Sequence, residues 1–77
     1  MIRQPSDAAL DPRLDPRRPT VKLTGKDGNV FNLIGITRRA LRRAGYVEAE
    51  VDAFTAEAQS GDYDHAIQTI MTWADVD

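Results

Sequence analysis

At 77 residues the chain has room for one domain. It has no cysteine and a single histidine, His65, which excludes a disulfide and a zinc site of the usual Cys/His type. Nothing in it approaches the roughly 18 apolar residues of a membrane span, and the N-terminus lacks the apolar stretch of a secretory signal.

The net charge of −2 conceals a strong asymmetry. Residues 1–19 carry four Arg against three Asp. Residues 20–45 carry Lys22, Lys26, Arg38, Arg39, Arg42 and Arg43 against Asp27 alone. Residues 46–77 carry eight acidic residues and no Lys or Arg.

All four prolines (Pro5, Pro12, Pro16, Pro19) fall within residues 1–19, with few large apolar side chains. Such a stretch buries too little surface to offset the entropy of ordering it. It reads as a disordered tail, leaving residues 20–77 as a single small helical domain. A domain this small buries only about 60% of its chain surface, so its stability must come from close packing.

Thr20-Val21-Lys22-Leu23-Thr24 alternates polar and apolar residues, the pattern of a short strand. Gly25-Lys26-Asp27-Gly28 ends it as a turn. Asn29 is a good N-cap, and Val30, Leu33, Ile34, Thr37, Leu41 and Ala44 then fall on one helical arc. A first helix is expected from about 30 to 44, with Gly45 at the position of a helix-ending glycine. The competing reading makes Asp27-Gly28 a hairpin turn with a second strand at 29–34, and Gly35, unfavourable inside a helix, keeps it open.

A second helix is expected from about 48 to 59, with Val47, Val51, Phe54 and Ala58 as its apolar stripe and Glu48 and Glu50 in its first turn. Asp62 caps a third, from about 63 to 74, whose apolar face is Tyr63, Ala66, Ile67, Ile70, Met71 and Ala74, with Trp73 at its edge. Asp75-Val76-Asp77 is free either to fray or to pair with the first strand. Three short amphipathic helices with brief links must share one core. The fold class is therefore mainly α: a short N-terminal strand (or hairpin) plus a compact three-helix bundle.

Several chemistries lack their residues. On the third helix, His65 lies opposite the apolar face, the placement of an exposed histidine rather than of a triad base. The 25–28 turn lacks the closing Gly-Lys-Ser/Thr of a phosphate loop. Asp62 and Asp64 do not supply the ligand order of a calcium loop. No cofactor, metal site or catalytic residue is expected, and the protein reads as a binding protein rather than an enzyme.

The sharpest surface feature is Arg38, Arg39, Arg42 and Arg43, an arc of about 140° opposite the first helix's apolar stripe. Arginine suits carboxylate and phosphate recognition because its fork is planar and always charged. The plainer explanation is that cations are favoured near a helix C-terminus and are neutralised by the acidic segment that follows. Gly35, one turn earlier in the same arc, admits a close backbone approach by a partner or marks a bend. The partner expected is a protein. Nucleic acid is the alternative, opposed by the wholly acidic second half. Self-association of a basic face with an acidic one is the third.

Two resemblances accompany these readings. Val21-Lys22-Leu23, Gly25-Lys26-Asp27-Gly28-Asn29, the Arg-Arg-Ala-Leu-Arg-Arg-Ala-Gly run of 38–45, and Ser60-Gly61-Asp62-Tyr63 leading to Trp73 resemble a family of small uncharacterised proteins of bacteriophages and other mobile elements. The resemblance implies no activity; it suggests a bacterial cytoplasm and a host or phage protein as partner. Ala44-Gly45-Tyr46, then Gly61-Asp62 and Ala66, are similar to the ubiquitin-associated three-helix domain, though Ala44 stands where that family has Met. That similarity implies a compact three-helix core.

Overall fold

A computed structural model describes residues 11–23 and 28–77. A single 3-10 turn, Pro12–Leu14, leads into strand β1 (Thr20–Val21). Helices α1 (Val30–Arg43), α2 (Glu48–Ala58) and α3 (Tyr63–Trp73) follow, and strand β2 (Asp75–Val76) ends the chain. β1 and β2 pair in parallel, Thr20 with Asp75 and Val21 with Val76, so the whole helical bundle is the crossover between them.

Each helix begins and ends where its capping chemistry places it. The Asn29 carboxamide oxygen accepts from the Phe31 N–H at 2.9 Å, which starts α1 and settles 29–34 as helix rather than a hairpin strand. Gly45, at φ 104°, closes it. Its N–H donates to the Arg42 carbonyl and that of Tyr46 to the Leu41 carbonyl, both at 3.1 Å, the paired bonds of a Schellman end. Val47 offers no capping side chain to α2; instead the Glu50 carboxylate reaches back to the Val47 N–H at 2.9 Å. The Asp62 carboxylate caps α3 by accepting from the His65 N–H at 2.9 Å. The turn expected at 25–28 lies largely outside the described residues.

The core is shared by all three helices and β1. Leu41, Val51, Phe54 and Ile70 are fully enclosed, with Val21, Leu33, Ile34, Ala58, Ala66 and Ala74 around them. Trp73 packs edge-on to Phe54 at 5.8 Å between ring centroids and stands tilted against Tyr46 at 6.2 Å. Two threonines belong to this core although they are polar. The Thr37 hydroxyl donates to the Leu33 carbonyl at 2.9 Å and that of Thr69 to the His65 carbonyl at 2.8 Å, so burial leaves neither unsatisfied. Three expected apolar-face residues, Val47, Tyr63 and Met71, are exposed. Val47 lies before α2 rather than in it, and α3 is turned so that Thr69 and Ile70 face inward.

The division at residue 19 does not hold. Residues 1–10 lie outside the described residues, but 11–19 pack onto the helices. The reason is polar. Asp11-Pro12-Arg13 and Asp15-Pro16-Arg17 each fold into a turn in which the Asp carboxylate accepts from the N–H two residues on, at 3.0 and 2.8 Å. The second turn aims Arg17 across the Tyr46 ring, 4.0 Å from its centroid, into bidentate contact with both Asp15 and Glu50. Arg18 reaches the end of α3, donating to the carbonyls of Met71 (2.6 Å), Thr72 (3.3 Å) and Ala74 (3.2 Å) and pairing with Asp75. α3 has no basic residue in its own last turn, so Arg18 supplies the cation its dipole favours. A scarcity of apolar side chains therefore does not predict disorder here, because charged hydrogen bonds fasten the segment.

Candidate functional site

The helix α1 carries its four arginines on two different flanks. Arg38 and Arg42 face the side on which α2 begins. Arg42 donates to both Glu48 carboxylate oxygens, at 2.5 and 3.2 Å. That bond raises the Arg42 pKa and holds the Glu48 carboxyl below its usual value. Arg38 is half-buried, and its enclosed Nε has no partner among the described residues. So this half of the arc follows the plainer explanation in part: Arg42 is neutralised by the acidic segment after it.

Arg39 and Arg43 lie on the other flank, one turn apart, and face β1. With Lys22 and Thr20 they rim a groove of about 390 Å³ whose floor is Val21, Ile36 and Ala40. Arg39, Arg43 and Lys22 are exposed, and none makes an ion pair among the described residues. No carboxylate among the described residues lines the groove. Lys22 joins the site only because β1 packs against α1; nothing in the sequence spacing brings residue 22 to residues 39 and 43. Gly35 does not line this groove, and a Cβ added to it would meet nothing within 4 Å.

The loop Ala44-Gly45-Tyr46 presents no free aromatic surface. Tyr46 is only 5% exposed, capped by Arg17. Burial is the main cause that pushes its phenol pKa up. Beside it, the Arg17 hydrogen bonds hold the Asp15 and Glu50 carboxyls below their usual values and raise the guanidinium in turn. These groups secure the 11–19 segment and are fully occupied in doing so.

His65 is more engaged than its helix position predicts. Its Nε2 lies 2.8 Å from the Glu57 carboxylate, 2.9 Å from the Glu57 carbonyl and 3.1 Å from the Ser60 hydroxyl. The close fit needs Gly61, where a Cβ would come within 2.9 Å of the His65 side chain. Although Ser, His and a carboxylate meet here, hydroxyl and carboxylate share one ring nitrogen. A triad needs them on opposite nitrogens to relay a proton, so the cluster ties the end of α2 to α3 instead.

A second, apolar groove of about 310 Å³ lies between the starts of α1 and α3, with Phe31 (69% exposed) and Tyr63 on its walls. Among the described residues no cluster of His, Asp or Glu is arranged to hold a metal ion, and no helix is long and apolar enough to cross a membrane. No family model matches the chain, and comparisons with curated proteins and with solved structures give no match.

Proposed function

We propose that this is a small non-enzymatic binding protein that engages an acidic macromolecular partner through Lys22, Arg39 and Arg43. The observation that carries the reading is charge without a counter-charge among the described residues. Three cations, Arg39 and Arg43 of α1 and Lys22 just after β1, converge on one groove, while the neighbouring Arg17, Arg18 and Arg42 are each paired. Folding does not require three exposed, unpaired cations at one place, and like charges brought together repel modestly. The partner is a protein, of host or phage origin, met in a bacterial cytoplasm. The resemblance to small mobile-element proteins supports that setting, and the wholly acidic second half of the chain, which repels a polyanion, supports a protein over nucleic acid.

The test is capture from a bacterial lysate by the immobilised full chain, with and without nuclease, beside the Lys22→Gln/Arg39→Gln/Arg43→Gln variant. Glutamine keeps the helix propensity of α1 while removing charge. A protein retained after nuclease by the wild type and lost from the variant is expected. Loss of every partner on nuclease treatment replaces this reading by a nucleic-acid one. Capture unchanged by the triple substitution removes the basic groove from consideration.

A further inference from the structure

We propose that the groove between β1 and α1 receives an extended acidic segment of a partner protein, which adds to the open edge of β1 as a strand and sets its carboxylates against Arg39 and Arg43. The inference rests on the reading of the groove as a partner site and names the partner's shape and chemistry.

The ladder itself shows which edge is open. Toward β2, the Pro19 carbonyl accepts from Asp75 N–H at 2.9 Å and the Val21 carbonyl from Asp77 N–H at 2.9 Å, while Leu23 N–H donates to the Asp77 carbonyl at 3.4 Å. Every one of these groups belongs to an odd-numbered residue. Successive backbone groups of a strand point to opposite edges, so the N–H and C=O of Thr20 and Lys22 point away from β2. Thr20 of β1 and Lys22 just after it also rim the groove, and no β2 residue lines it. Neither makes a backbone hydrogen bond among the described residues. An edge of this kind is a template for one more strand.

The opposite wall fits the same occupant. The rise from Arg39 to Arg43 along α1 is about 6 Å. Alternate residues of an extended chain are about 6.6 Å apart and point the same way. Carboxylates on every second residue of a strand lying along α1 therefore meet one guanidinium each, with the bidentate geometry that arginine favours. The residues between them turn to the other side, away from α1. Nucleic acid would use the cations but has no use for the strand edge, and the groove offers no aromatic ring for a base to stack on.

The experiment titrates the full chain with fluorescein-labelled probes, read by anisotropy up to 1 mM. The probes are a twelve-residue peptide alternating Glu and Val, its Lys–Val counterpart, the Glu–Val peptide N-methylated on alternate amides, and a 12-base-pair DNA duplex. Each is repeated with Arg39→Gln/Arg43→Gln, with Thr20→Pro, and with Arg42→Gln as a control outside the groove. The Glu–Val peptide is expected to bind, the Lys–Val peptide not to. N-methylation and the double Gln substitution should each weaken binding at least tenfold, and Arg42→Gln less than twofold. Thr20→Pro removes an outward N–H without touching charge, and should also weaken binding tenfold; should it fail to fold, the N-methylated probe reports on the same edge with the native chain. Equal binding of the two Glu–Val probes overturns strand addition but leaves the basic groove as a partner site. DNA binding without peptide binding overturns the inference and makes the site one for nucleic acid. A Glu–Val peptide that fails to bind below 1 mM overturns the inference, and lysate capture then decides the broader reading separately.

Discussion

Replacing Arg17 by Met keeps an unbranched stem over Tyr46 and removes only the guanidinium. Four hydrogen bonds to carboxylates go with it, at 3.0 and 2.7 Å to Asp15 and at 3.0 and 2.8 Å to Glu50, and a longer one, 3.4 Å, to the Gly45 carbonyl. At about 1.5–3 kcal/mol for each bond to a charged group, a naive total exceeds the whole stability of a small domain. Solvent decides how much survives. Arg17 and Glu50 each keep about a third of their side-chain surface in water, so their pair counts as a surface pair, about 0.2–1 kcal/mol. Asp15 is different, with 5% of its side chain exposed. Without Arg17 it becomes a buried carboxylate held by a single backbone N–H, which costs about 1–3 kcal/mol, and the lost contact with the Tyr46 ring adds about 0.5–1 kcal/mol. The expected loss is about 2–5 kcal/mol at pH 7. At about 4–8 °C per kcal/mol for a domain of this size, the melting temperature should fall by roughly 8–40 °C.

Acid sharpens the test. Arg17's hydrogen bonds are the leading cause that lowers the Asp15 and Glu50 pKa values. Carboxyls depressed in the folded state contribute stability that is fully present above their unfolded values, about 4, and lost as pH falls through the folded values. The difference between wild type and Arg17→Met should thus be full at pH 7 and shrink below about pH 4. Urea denaturation followed by circular dichroism at pH 7, 5 and 3 measures it. A difference under about 0.5 kcal/mol at pH 7, the size of an ordinary surface substitution, would refute the claim that 11–19 belong to the fold. So would a difference that does not change with pH.

Arg18→Ala should cost about 1–2 kcal/mol by uncapping α3. Amide exchange at Asp75 and Asp77, whose N–H groups make the β1–β2 ladder, should quicken more than exchange within α1; uniform protection across both would show that Arg18 does not hold that end. Gly35→Ala places a Cβ in open space inside α1 and should raise stability by about 0.5–1 kcal/mol while leaving Glu–Val peptide binding unchanged. Weaker peptide binding by a more stable Gly35→Ala chain would show that a partner backbone does approach Gly35.

Local chemistry was enough to define the helices. Asn29, Gly45 and Asp62 each satisfy backbone groups within a few residues of themselves, so the ends of α1 and the start of α3 can be read without knowing the fold. The 3.6-residue period likewise marked Leu41, Val51, Phe54 and Ile70 as core, because burial of one helix face depends on spacing alone. The sequence also contained a signal that proline counting obscured: the repeated Asp-Pro-Arg of 11–13 and 15–17 is a turn motif with a mechanism.

What only the tertiary structure decided are the relations between distant residues. Arg17 meets Glu50 33 residues away, and Arg18 meets Asp75 57 residues away. No periodicity encodes such a meeting, since it depends on where β1 leaves the 11–19 segment relative to α2 and α3. The four arginines looked alike on a helical wheel, which knows their angles but not their neighbours. Packing gave Arg42 to Glu48 and brought Lys22 to Arg39 and Arg43. Whether a surface charge is neutralised or left open to a partner depends on what else folds to within a few ångströms of it, and that distance is set by the three-dimensional arrangement of the chain.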